Sequence, residues 1–120
     1  YPEFIKTFDE TKDINISTVN TFLKILSEVP DTFIARKIGS GITNDAFEAV
    51  KIGLPISLNI SEKAKQILEQ NQGMITSEGR LQIENFDREL RRSNGTLNPG
   101  TTADLTAASL MISLLLGFRL

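Results

Sequence analysis

The sequence contains no cysteine and no histidine in 120 residues. The first absence excludes disulfides, thiolate nucleophiles and Cys-ligated zinc. The second removes the commonest general base and a common metal ligand. Chemistry within the chain therefore falls to Asp, Glu, Lys, Arg, the single Tyr1, hydroxyl groups, or a hard cation such as Mg²⁺ held by oxygen. A basic field is also missing. The formal net charge is −2, so nucleic acid is not an expected partner. Residues 1–13 are mixed and charged and lack a signal-peptide pattern. The most apolar run, residues 105–118, is interrupted by Thr106, Ser109 and Ser113. It is shorter than the roughly 20 residues that span a bilayer. The expectation is a cytoplasmic chain with no membrane partner.

What is present suits one globular domain over residues 1–120, with 40% hydrophobic and 23% charged residues. The first residue is Tyr1 rather than Met, and an upstream segment is expected to be missing. Asn15, Asn59 and Asn94 each begin an Asn-x-Ser/Thr triplet. Each is read as lying beside a helix start or turn, where these residues are favoured without any glycan.

Residues 1–13 are weakly patterned and read as a helix tail or a linker. From residue 16 to 29, Val19, Phe22, Leu23, Ile25, Leu26 and Val29 recur at helical spacing. Ser17 or Thr18 is a plausible cap, and Pro30 stops the helix. Asp31 then caps a short helix that ends at Gly39-Ser40-Gly41. Thr43-Asn44-Asp45 caps a fourth segment, closed by Gly53 and Pro55. Asn59 and Glu62 have capping-box spacing and open another helix. A further helix runs from about residue 77 to 92 with Leu81, Ile83, Phe86 and Leu90 inward. It is broken by Asn94-Gly95. The last helix begins after Asn98-Pro99-Gly100. No period-two alternation occurs. The fold class is therefore all-α: a compact bundle of about five to six helices. The last helix is apolar all round, so it is expected to be buried at the centre. Full cover is expected to need an upstream segment or a second copy of the chain.

Three segments are candidates for chemistry. Asn98-Pro99-Gly100-Thr101-Thr102-Ala103-Asp104-Leu105 joins a glycine turn to a helix N-terminus, which suits an anionic phosphate. Asp104 would repel a bare phosphate, so a Mg²⁺ ion or a cationic side chain is needed beside it. The same spacing is also that of an ordinary cap and turn. In the second segment, Thr32 and Arg36 share a helical face, bracketed by Asp31 and Lys37. From the pattern alone, a solvated, capped surface helix is the favoured reading. In the third, Asp87 and Arg91 are four apart, as are Arg88 and Arg92. Arginines at a helix C-terminus satisfy the dipole without any further role. They also present guanidinium groups to an anion.

Pro-Asp-Thr-x-x-Ala-Arg-Lys at residues 30–37, Phe-Asp-Arg-x-Leu-Arg at 86–91 and Asn-Pro-Gly-Thr-Thr-Ala-Asp-Leu-Thr-Ala-Ala at 98–108 occur in that order. Together they resemble the triphosphoribosyl-dephospho-coenzyme A synthase family over residues 29–116. The last motif is the most specific, and Thr-Thr after its glycine looks like the archaeal-type relatives. The family's N-terminal portion, with its Pro-Gly-containing substrate motif, has no visible counterpart, so the resemblance implies that the chain is the C-terminal part of a longer enzyme. The resemblance implies a helical transferase that moves the triphosphoribosyl group of ATP onto dephospho-coenzyme A and releases adenine, with Mg²⁺. It makes Asp31, Asp87 and Asp104 the catalytic candidates. Thr32, Arg36, Lys37, Arg88, Arg91, Asn98, Gly100, Thr101 and Thr102 become substrate-binding candidates. Asp31 and Asp104 are the expected Mg²⁺ ligands. The competing expectation is a non-catalytic helical module that binds a nucleotide or phosphate, or an interaction domain. These expectations require the three motifs to converge in space.

Overall fold

The computed structural model describes residues 2–92 and 97–117. The expected break at Asn94-Gly95, the Asn94 triplet and Tyr1 lie outside the described residues. Among the described residues, six α-helices follow in order: α1 Pro2–Thr11, α2 Ile14–Glu28, α3 Thr32–Gly39, α4 Ala46–Asn71, α5 Ser77–Arg91 and α6 Gly100–Leu115. A short 3₁₀ turn, Gly73–Ile75, joins α4 to α5. The all-helical bundle is the one the sequence pattern predicts.

Short polar side chains set the helix starts. Asp13, Asp31 and Asp45 each accept two backbone N–H bonds at the starts of α2, α3 and α4. Thr76 accepts one at the start of α5. Each such cap satisfies donors that the helix itself leaves unpaired, for about 1 kcal/mol. The α2 cap is thus Asp13, not Ser17 or Thr18. Those hydroxyls instead donate to backbone carbonyls one turn back. Residues 2–11 are helical because Phe4 and Thr7 bury one face, which a short, weakly patterned segment conceals.

The core gathers Leu23, Leu26, Ile34, Ile60, Ala64, Ile67 and Phe86 from α2, α3, α4 and α5. Helix α4 corrects the expected break at Gly53 and Pro55: it is continuous for 26 residues. Proline in a helix interior removes a hydrogen bond and costs about 3 kcal/mol. Here Pro55 is exposed, while Ala49, Gly53, Ser57, Ile60, Ala64 and Ile67 form one unbroken buried face. Burial of that face outweighs the local cost. Asn59 and Glu62 are consequently exposed mid-helix residues rather than a cap.

Gly53 serves contact rather than termination. A Cβ there would lie 1.9 Å from the carbonyl oxygen of Ala35, and one at Gly39 would lie 1.9 Å from that of Ala49. The two glycines let α3 and α4 touch through backbone. Near the other end of α4, buried Asn20 accepts from the Met74 amide at 2.8 Å and donates to the Gln72 carbonyl at 3.3 Å. It pins a turn in which Gln72 and Gly73 have φ of 58° and 59°.

The position of α6 differs from the central one expected. It packs mainly on α2, with smaller contacts to α1 and α3. Its buried residues are Thr102, Thr106 and Ser113, whereas Met111, Leu114, Leu115 and Leu116 are 55–79% exposed. The hydroxyls tolerate burial because Thr106 and Ser113 donate to carbonyls one turn earlier, at 2.8 and 2.9 Å. The all-round apolar pattern gave no direction, and a register set at the start of α6 chose the side.

Gly53→Ala is expected to destabilise by about 2–3 kcal/mol through overpacking. Pro55→Ala is expected to stabilise by about 1–3 kcal/mol by restoring a helix bond. Urea unfolding checks both; a neutral Pro55→Ala would contradict a continuous α4.

Candidate functional site

The register of α6 comes from Asp31. Helix α6 starts at Gly100 after Pro99, with no side-chain cap of its own. Its cap arrives from 71 residues away. Asp31 Oδ2 accepts from the Thr102 backbone amide and from the Thr102 hydroxyl, both at 2.8 Å. The other oxygen, Oδ1, accepts from the amides of Phe33 and Ile34 at 2.9 and 3.1 Å. One carboxylate therefore caps two helices, and both helix dipoles favour its negative charge. Asp31 is 1% exposed, and its backbone carbonyl accepts from the Ser57 hydroxyl of α4 at 2.8 Å.

This arrangement changes the meaning of the anion-binding N-terminus. The Thr102 amide, an obvious donor for a phosphate, already serves Asp31. Thr102 is buried, while Thr101 beside it is partly exposed and faces a different neighbour. Thr101 Oγ1 lies 3.3 Å from Thr32 Oγ1, so the first turns of α3 and α6 present paired hydroxyls. Phe33, Arg36, Val50 and these threonines line a cleft of about 180 Å³. Arg36 and Lys37 are exposed, with their cationic groups 5.7 and 5.3 Å from the Phe33 ring centroid. Gly100 meets the same ring: a Cβ there would come within 3.4 Å of it. Phe33 thus positions cations and turn together, a role its place in the sequence does not announce.

A second cleft, about 480 Å³, opens between α2, α5 and the start of α6. Phe22, Phe86, Pro99 and Ala103 contribute to its walls, with Asp87, Arg91 and Asn98 among its polar lining. Arg91 Nε donates to both Asp87 oxygens, at 3.0 and 2.9 Å. Both side chains are largely exposed, so solvent screens the pair and its own contribution to stability is small.

The motifs therefore converge on the start of α6, but from two sides. Thr32, Arg36 and Thr101 share the smaller cleft; Asp87, Arg91 and Asn98 share the larger. Residues 98–103 lie between. Arg88 lines neither cleft and instead lies 3.8 Å from Glu84. Asp104 is exposed just beyond the first turn of α6 and also lines neither. Asp31 and Asp104 are not brought together with a third acidic residue: no group of three or more carboxylates suited to a metal ion occurs among the described residues. Ser57 was not readable as a site-supporting residue, since its partner lies 26 positions away.

Asp31→Asn keeps an acceptor for one helix and turns an NH₂ group on the donors of the other. It is expected to destabilise by about 2–3 kcal/mol. Thr102→Val should cost about 1–1.5 kcal/mol, and the double variant less than the sum. Denaturant unfolding of the four proteins checks the cycle; full additivity would contradict the shared cap.

No curated protein and no solved structure matches the chain significantly. No helix among the described residues is long and apolar enough to cross a membrane. A family model, CitG: ATP:dephospho-CoA triphosphoribosyl transferase, matches residues 1–119, beyond the 29–116 span of the three motifs. With the helical fold and the 98–108 motif at its convergence point, the chain belongs to the CitG family of ATP:dephospho-CoA triphosphoribosyl transferases.

Proposed function

We propose that the start of α6 is the place where this chain handles ATP during transfer of its triphosphoribosyl group to dephospho-coenzyme A. The supporting observation is that the family match includes the 98–108 motif, whose residues separate a cleft carrying the Thr32 and Thr101 hydroxyls and Arg36 from a larger one walled by Phe22 and Phe86. A nucleotide has the same division, with anionic phosphates at one end and a flat base at the other.

In the reaction an acceptor ribose hydroxyl attacks C1′ of the ATP ribose. The new O–C1′ bond forms as the C1′–N9 bond of adenine breaks. The hydroxyl proton leaves to a base, and adenine departs with the bonding pair and gains a proton. Positive charge develops at C1′, so the site needs nearby carboxylate and neutralised phosphates. Arg36 and Lys37 provide charge for the phosphates, and the Thr32 and Thr101 hydroxyls provide donors. Asp87, in the larger cleft, and Asp104, which follows residues 98–103 in α6, are the available carboxylates. Asp31 acts as a positioning residue: it holds the first turns of α3 and α6 in register. Serving as base or metal ligand would require it to release Thr102.

Mg²⁺ would enter with the triphosphate. Such an ion needs only one or two protein carboxylates beside substrate oxygens, and Asp104 suits that requirement. There it would neutralise phosphate charge. Adenine release, the acceptor and Mg²⁺ dependence all belong to this proposal. So do Arg88 and Arg91 as further cations for an anionic substrate.

The test incubates the chain with γ-³²P-ATP and dephospho-coenzyme A. The proposal predicts that label enters the coenzyme product in step with free adenine. Asp104→Asn is expected to lower kcat about 10²–10³-fold. Arg36→Ala should raise the KM for ATP about tenfold with a smaller change in kcat. Label release as free phosphate, without coupled adenine, would contradict the reading.

A further inference from the structure

We propose that the 480 Å³ cleft between α2, α5 and α6 is a binding site for an adenine ring. Its volume lies within the usual range for small-molecule pockets, and its lining is mostly apolar with a few polar groups, which is how such sites are built. Phe22 and Phe86 give it two aromatic side chains, and Pro99 and Ala103 contribute apolar atoms from the start of α6. A purine buries its faces against such walls and needs polar partners only at its edge.

The polar lining chooses among rings. Asp87 offers carboxylate acceptors, and Asn98 offers one amide acceptor and two donors. A carboxamide pairs with N6 and N7 of adenine through one acceptor and one donor. The carboxylate of Asp87 takes a second amino hydrogen in the same way. A 6-oxo purine puts an acceptor where these groups require a donor. The cleft therefore favours a 6-amino purine over its 6-oxo analogue. Arg91 holds Asp87 through both carboxylate oxygens, which fixes the acceptor's direction.

Position supports the same assignment. Asn98, Pro99 and Ala103 face this cleft, while Thr101, between them in sequence, faces the cleft of Thr32 and Arg36. A ring in one and phosphates in the other would straddle a single helical turn. The ring could come from ATP or from dephospho-coenzyme A, since both carry adenine. That choice rests on the transferase reading; the ring site itself does not.

The test is ¹⁵N-NMR titration of the chain with free adenine, hypoxanthine, inorganic triphosphate, ATP and dephospho-coenzyme A. Adenine should shift the amides of Leu23, Leu90 and Ala103, and hypoxanthine should bind at least about tenfold more weakly. Ala103→Leu fills the cleft from an exposed position, so it should fold normally and lose adenine binding. Its affinity for triphosphate should be unchanged. Shifts of those amides by ATP but not dephospho-coenzyme A assign the ring to the donor, and the reverse assigns it to the acceptor. Absence of adenine shifts at these amides, equal binding of hypoxanthine, or undiminished adenine binding by Ala103→Leu would overturn the proposal. An adenine site in a chain that transfers nothing would uphold this inference while defeating the transferase reading. Normal transfer with adenine bound elsewhere would do the opposite.

Discussion

The carboxylate of Asp31 is the constraint on which the rest of the arrangement depends. It is buried and accepts four hydrogen bonds, two from the start of α3 and two from Thr102 in α6. Charged acceptors left without donors in a protein interior cost several kcal/mol, so this carboxylate holds both helix starts in place. Ser57 ties the same residue to α4 through its backbone. With α6 anchored at Thr102, its rotation is fixed. Thr106 and Ser113 turn inward one and three turns later, and the leucines turn outward. Thr101 is placed beside Thr32, and Asn98 and Ala103 beside the cleft of Phe86.

This explains why the fold was largely legible and the site only partly so. Helical spacing in residues 16–29 and the aspartates before α3 and α4 carry local information, and those helices form where it indicates. Two overrides came from tertiary contact. Pro55 looks like a terminator, yet the buried face from Ala49 to Ile67 carries α4 through it. Gly53 looks like punctuation, yet it marks backbone contact with α3. Helix α6 misled for another reason: a sequence apolar on every side does not state which side is covered. The answer lay in a hydrogen bond to a residue 71 positions away.

The motif residues divide along similar lines. Thr32, Arg36 and Thr101 meet, and Asp87, Arg91 and Asn98 meet, as nearness to one helix start allows. Asp31, a catalytic candidate through the family resemblance, caps the starts of α3 and α6 with all four hydrogen bonds of its carboxylate. The anion that the α6 N-terminus attracts is supplied from within the chain. Phosphate chemistry, in this account, moves to the exposed hydroxyls and cations beside that terminus. Phe33 links them: Arg36, Lys37 and Gly100 all lie against its ring.

The central claim is that ATP is held at the start of α6 with its phosphates beside Arg36 and Thr101. Calorimetric titration of the chain with ATP, with and without Mg²⁺, tests it most directly when paired with Arg36→Ala and Thr101→Val. The account predicts Mg²⁺-dependent binding that weakens about tenfold in each variant, since each removes a donor to the phosphates. No binding by the native chain, or binding unchanged in both variants, would contradict it.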